Sequence, residues 1–374
     1  MTLSKRAIVT IEDELDAIAD LAAAVHLEDM AGVILFFSPS YDPVKLEQAI
    51  EKNFSCVVVG CTTAGAVSPD YIATGISAIS FSSKAFKFHS HFIDLEDGVT
   101  REVIKSLLKT ENTASYFGDG KVIEHSIGLL LIDGLSMKEE VVAASIHDAL
   151  PKLPIFGGSA GDDLNFEETR IFVDGKFHSN AAVFTFIETS LDFEVFKLQH
   201  FEPSDVEFVV TEADPVNRIV SELDGEPAAE YFAQTLGLSV DELDPEVFSM
   251  NPLMLQIGND WYVRSIQKVC DDGSLLFYCA IDIGLPFTIG KGVDIENNLK
   301  KTVDKIAEVF LSVEISIGCD CILRRLELIA TKKDSAISDI LRGINFSGFS
   351  TYGEQFNSLH VNQTLTGVVF GEKA

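Results

Sequence analysis

VVVGCTTAGAV (residues 57–67), PIFGGSAGDD (154–163) and NFSGFSTYGEQ (345–355) are three versions of one pattern: apolar strand, Gly, one variable residue, Ser or Thr, then a second Gly or an Ala-Gly. Internal repetition outranks local signals, because a repeated supersecondary unit dictates the architecture. Each copy also sets small residues where a backbone could approach a ligand closely.

Working outward, a strand and a helix precede each copy, and a further strand follows it. In the first unit, 33–37 is a strand and Asp42-Pro43 opens a helix, Asp as N-cap and Pro in the first turn, with Leu46, Ala49 and Ile50 inward. Residues 76–81 return. In the second, 129–132 is a strand and Ser136 with Glu139 forms a capping box. Val142, Ile146 and Leu150 line its helix, and 182–187 returns. In the third, 321–323 reads as strand, Ile337, Ile340, Leu341 and Ile344 as a helix stripe, and 365–370 as the return. Val33 to Gly60, Leu129 to Gly157 and Asp320 to Gly348 are 27, 28 and 28 residues. The unit is strand–helix–strand–turn–strand. A helical crossover makes the first two strands parallel and the last two form a hairpin, so the fold class is α/β of mixed α+β kind, with mixed sheets. A helix over 11–25 precedes the first unit, with Thr10 and Asp13 as a capping pattern.

The texture changes between the second and third units. Strands over 208–211 and 218–222 flank an Ala-Asp-Pro-Val-Asn link, and Asp224-Gly225 turns into a helix over 227–236. Strands over 262–269 and 275–281 alternate around Asp272-Gly273, a hairpin signal. A helix over 295–311 carries Leu299, Val303, Ile306 and Phe310 on one face. A boundary at 200–204 divides the chain into domains 1–202 and 203–374, as expected for 374 residues.

With 28 basic against 58 acidic residues the net charge is −30, which repels nucleic acid and anionic membranes and excludes a DNA- or RNA-binding role. The composition is 47% hydrophobic with 27 Phe, enough for a sizeable core. No apolar run approaches the ~18 residues of a membrane span, and the N-terminus carries no secretory h-region. Six cysteines without Cys-x-x-Cys spacing read as reduced, buried thiols. The expectation is a soluble cytoplasmic protein.

The turns and their surroundings resemble the FIST family of bacterial two-part sensory domains. VVVGCTTAGAV and IFGGSAGDD resemble its N-terminal part. VTEADPVNRIVSELDGEPAAEYF (210–232), the isolated Arg264 and GFSTYGE…HVNQTLTGVVF (348–370) resemble its C-terminal part. The likeness runs from about residue 32 to 370. It implies intracellular signal transduction by a sensory module that binds a small ligand and acts on a separate partner protein, such as a histidine kinase or cyclase. It also implies two candidate ligands: haem with nitric oxide, in a two-component system, and a small polar metabolite such as an amino acid. Where the family often has an acidic residue after Ala-Gly, this chain has Ala66, so no carboxylate role carries over there.

Gly157–Gly161 formally matches G-x-S-x-G, but the acidic Asp162-Asp163-Leu164-Asn165 follows where a nucleophile elbow needs a helix. Ser159 therefore reads as part of a structural turn. Cys61, between Gly60 and Thr62, is either a pocket-lining thiol or a nucleophile awaiting an activating cation. An enzyme using Cys61 or Ser159 is the competing function class. The scattered histidines make no zinc set, and any haem would rest on one axial His or Cys without covalent attachment. His360, Asn362, Thr364 and Glu354 either cap the third turn or face a ligand. Arg264, solitary on an alternating strand, either clamps a ligand carboxylate or pairs with one of the many acids. The candidate ligand-binding set is Gly60, Cys61, Thr62, Thr63, Gly157, Gly158, Ser159, Asp162, Arg264, Gly348, Ser350, Glu354, His360, Asn362 and Thr364.

Overall fold

The structure is a computed structural model that describes residues 2–96, 99–110, 113–117 and 123–374. Each unit builds the centre of one six-stranded mixed sheet. In the first, Met30–Phe37 and Val57–Thr62 run parallel, linked by the helix Pro43–Asn53. The Asp42 carboxylate caps that helix by accepting from the Val44 and Lys45 N–H groups, as its Asp-Pro start dictates. Ser126–Ile132 with Ile155–Ser159, and Phe310–Cys321 with Phe346–Thr351, repeat the parallel pair.

Three local expectations are corrected. Residues 322–323, read as strand, open the helix Ile322–Thr331, because Ile322, Leu323, Glu327 and Leu328 bury at helical spacing while the alternation before them makes the strand. Ser136 does not cap the second unit's helix. Its hydroxyl donates to the Asp133 carbonyl, and Glu139–Ala149 starts without a side-chain cap. The return strands form no hairpin with the turn-bearing strands. Ile76–Ser82, Ala181–Thr189 and Leu365–Lys373 pair antiparallel with the first strand of their own unit.

The edge left free on each turn-bearing strand is filled by a hairpin from another unit. Ala66–Val67 and Tyr71–Ile72 follow the first turn and add to Phe346–Thr351 of the third unit. Ile171–Val173 and Lys176–His178 follow the second turn and add to Val57–Thr62. Glu354–Phe356 and Leu359–Val361 follow the third turn and add to Ile155–Ser159. This exchange is cyclic, so the sheets close into a ring with threefold pseudosymmetry. Phe36, Cys61, Leu129, Phe156, Ile317, Phe349 and Phe370 from the three inner faces share one core, where Phe36 stacks on Phe349 with centroids 4.3 Å apart. Helices cover the outer faces.

Between the second and third units the chain makes a separate antiparallel layer. Phe201–Asp214, Ile219–Leu223, Leu253–Ile257, Asp260–Arg264, Ile266–Val269, Leu275–Phe277 and Pro286–Gly292 form a further sheet, packed with the helices Ala228–Leu236 and Pro245–Met250 over its own core. This inserted sheet leaves the ring after His200 and rejoins it at Val293, whose N–H donates to the His200 carbonyl at 2.7 Å.

Candidate ligand-binding site

The three turns meet at the pseudo-threefold axis and bind one another through their backbones. Ala64 N–H donates to Ser350 O (3.1 Å) and Ser350 N–H to Gly65 O (2.7 Å). Gly161 N–H donates to Thr62 O (3.1 Å), and Ser159 N–H to Gly353 O (2.8 Å). The first glycine of each turn has one shared purpose. A Cβ at Gly60, Gly157 or Gly348 would overlap the carbonyl oxygen of Leu35, Leu130 or Gly318, its register partner on the parallel strand. Gly158 packs against Thr351, Phe349 and Cys319. Thr62 accepts from Arg170 N–H at 3.0 Å and Thr63 from Gly65 N–H at 3.0 Å, so both hydroxyls shape the turn. Asp162 accepts from the N–H groups of Phe166 (2.9 Å), Glu167 (2.7 Å) and Glu168 (3.0 Å) and from the Tyr352 hydroxyl, which ties down the loop that follows. Cys61 is sealed in the common core, and burial pushes its thiol well above the ordinary range. No thiolate forms readily there.

The remaining candidates gather at the seam between ring and inserted sheet. Ser159, His360 and Asn362 come from the ring, and Arg264 from the strand Asp260–Arg264. Around them stand residues that the sequence reading left out of the site: Glu139, read there as half of a capping box, and Glu140, Arg218, Ser265, Tyr278 and Gln355. Gln355 Nε2 donates to Ser159 Oγ (3.0 Å) and lies 3.3 Å from His360 Nδ1. His360 Nε2 donates to Tyr278 O (3.2 Å), so His360 is fixed on both sides. Ser265 N–H donates to Asn362 Oδ1 (3.4 Å). Arg218 bridges the two bodies: its Nη2 donates to Glu139 Oε2 (2.6 Å) and Glu140 Oε2 (2.7 Å), its Nη1 to Tyr278 O (2.7 Å). Although burial raises it, the neighbouring His360 and Arg218 hold the Glu140 carboxyl below its ordinary value overall. Ser265 Oγ, Gln355 Oε1 and Asn362 Nδ2 are buried there without partners among the described residues. Ser159 has Glu139 and Gln355 as neighbours and no histidine bonded to it, which is not the geometry of an activated nucleophile.

Glu354 and Thr364 stand beside this cluster in a closed pocket of their own. The Thr351 hydroxyl, Thr364 hydroxyl (2.7 Å) and Thr364 N–H (3.1 Å) all donate to the Glu354 carboxylate. A second buried network, also missed, lies at the root of the inserted sheet. Asp320 accepts from the Tyr71 hydroxyl and from Arg324 Nε (2.6 Å), Arg324 Nη1 reaches His200 Nδ1 (2.9 Å), and His200 Nε2 meets Glu327 Oε2 (2.6 Å). Arginine only donates, so His200 Nδ1 accepts, its Nε2–H points to Glu327, and the ring is neutral. Burial lowers the His200 pKa to match. Arg218, followed by Ile219 and Val220, could have been found by the reasoning that singled out Arg264, whereas Arg324 stands beside Arg325 and is not solitary in sequence. Among the described residues, no three His, Cys, Asp or Glu side chains group to hold a metal ion.

Models of the FIST N domain and the FIST C domain match residues 32–226 and 228–357. The chain belongs to the FIST family, whose domains are associated with sensing small ligands in signal transduction. It is similar to an uncharacterized protein of Methanocaldococcus jannaschii, 24% identical over 382 aligned residues that cover 91% of this chain and 73% of that protein. No helix among the described residues is long and apolar enough to cross a membrane.

Proposed function

We propose that the protein is a cytoplasmic sensor of a small polar ligand, such as an amino acid, which binds at the seam and signals through a separate partner such as a histidine kinase or cyclase. The observation that carries this reading is the group of partnerless polar atoms at the seam, Ser265 Oγ, Gln355 Oε1 and Asn362 Nδ2. Buried polar atoms are nearly always hydrogen-bonded, and a polar ligand would supply the missing bonds. The seam has one wall on the ring and one on the inserted sheet. A ligand touching both favours one relative placement over others, which is the differential affinity that a signal requires.

Haem with nitric oxide is the other ligand that the family resemblance implies. The seam does not fit it: the walls are polar, and both ring nitrogens of His360 are engaged. Both nitrogens of the buried His200 are engaged as well. Thermal denaturation with each amino acid, beside the visible spectrum of protein purified with haem supplied, tests the choice. The expected result is a raised Tm with at least one amino acid, on the order of 3 kcal/mol of added stability at a hundredfold excess over Kd, and no Soret band. A Soret band that moves on adding nitric oxide overturns the polar-ligand reading.

A further inference from the structure

Arg264 is a charge without a counter-charge. It is 9% exposed, in a chain with twice as many acids as bases. Its hydrogen bonds are long ones, from Nη1 to the carbonyls of Val263 (3.3 Å) and His360 (3.4 Å), and no carboxylate among the described residues pairs with it. A buried guanidinium is costly unless an anion compensates it. Arg218 and Arg324, more deeply buried, each have carboxylates at 2.6 Å.

Two of the unpartnered atoms beside Arg264 can donate to an anion. Asn362 Nδ2 is a fully buried donor without an acceptor, held in place because Asn362 Oδ1 accepts from Ser265 N–H. The Ser265 hydroxyl next to it is also buried and partnerless. Burial depresses the Lys197 pKa; the Asp260 charge raises it in part, and Arg264, standing near, depresses it further. An open groove lies on the same strand face. Tyr262, two residues before Arg264, lines an open groove of about 510 Å³ with His147, Lys152, Phe356 and Leu359, and Lys197 sits 4.0 Å above the Tyr262 ring.

We infer that Arg264, with Asn362 Nδ2 and Ser265 Oγ, forms an anion subsite that takes the carboxylate of a small ligand entering along the Tyr262 groove. The planar fork of arginine matches a carboxylate with two parallel hydrogen bonds, and the amide and hydroxyl supply further donors. This inference rests on the sensor reading above and adds the chemical class of the ligand.

The test is a thermal-shift and calorimetric titration of the full chain with acetate, succinate, L-alanine and L-glutamate. Chloride at matched ionic strength, L-alaninamide and inorganic phosphate serve as comparisons. At least one carboxylate should bind, its amide counterpart at least tenfold more weakly. Arg264→Lys keeps the charge but loses the fork, and should weaken binding at least tenfold. Asn362→Asp keeps the acceptor for Ser265 N–H and places a carboxylate beside the guanidinium. It should abolish carboxylate binding while holding or raising the ligand-free Tm, which separates an occupied site from a misfolded one. If L-alaninamide binds as well as L-alanine, or both variants bind like the parent, the anion subsite is wrong while the sensor reading stands. If phosphate binds more tightly than every carboxylate, the ligand class is wrong. If nothing binds, both readings fail.

Discussion

Glu354 is a carboxylate with no cation beside it among the described residues, and burial pushes its pKa up to about 8 despite the donors from Thr351 and Thr364. A group that holds its proton more tightly when folded contributes stability that is fully present below the ordinary carboxylate range. That contribution is lost as pH rises through about 8. Glu354→Gln imitates the protonated form. Urea denaturation should find the variant more stable than the parent at pH 8.5, by about 1–3 kcal/mol, with the gap closing at pH 5. Parallel pH profiles for the two proteins would remove the buried acid from the account. The same residue shows how far sequence reaches at this scale. Glu354, His360, Asn362 and Thr364 were singled out as a set, but which of them face a ligand and which only cap a turn depends on partners ten to two hundred residues away. Gly60, Gly157 and Gly348 were legible as places where a backbone could approach closely. Their reason was not, because the atom that excludes a Cβ is a carbonyl on a strand 25 to 30 residues earlier.

Among the elements, the helix Glu139–Ala149 carries the latch between ring and inserted sheet. Its first two residues converge on Arg218, and Ala280 N–H donates to Glu140 Oε1 at 2.9 Å. Arg218→Ala would leave Glu139, buried, without its cation, a change that costs about 3–5 kcal/mol when a buried pair is broken. Because the inserted sheet hangs from the ring at His200 and Val293, the loss should appear first as local opening of the seam. Native-state hydrogen exchange should speed up about a hundredfold at Ser265, Tyr278 and Ala280. The ring strand Ser126–Ile132 should keep its protection. Uniform acceleration across both bodies would show that Arg218 supports the whole fold and latches nothing. The repeating strands, the Asp42-Pro43 helix start and the Asp224-Gly225 and Asp272-Gly273 turns were all readable from sequence, since each has a periodic or dihedral signature. The exchanged hairpins were not. Ala66–Val67 and Tyr71–Ile72 are two residues each, too short for any period, and their partners lie in another unit.

For the whole molecule, three sheets that exchange hairpins in a cycle need a chain that runs around the axis, and the axis has no preferred starting place. The strand after a return strand crosses to the neighbouring sheet at Phe86–Asp94 and again at Asp192–Leu198, after turns of three and two residues. The third such place, on Ile76–Ser82, is filled by Ser4–Val9. The strand that pseudosymmetry would put before it, Leu365–Lys373, ends close by. Leu3 N–H donates to Glu314 Oε1 at 2.9 Å, and Ser312 of the same strand registers with Glu372. A circular permutant that joins residue 374 to residue 2 through a short Gly/Ser linker, and opens the chain between Ser83 and Lys84, keeps every sheet order. Its new ends fall in an exposed turn of the kind that tolerates such cuts. It should fold cooperatively, with a circular dichroism spectrum like that of the parent and a Tm within about 3 °C, equivalent to some 2 kcal/mol in a protein of this size. The inserted sheet supplies the internal control, because its own core and its single root at His200 and Val293 are untouched by the cut. Loss of ring protection with the inserted sheet still folded would mean that Ser4–Val9 must be made before the first unit can close, and that the symmetry of the contacts is not shared by the order of folding.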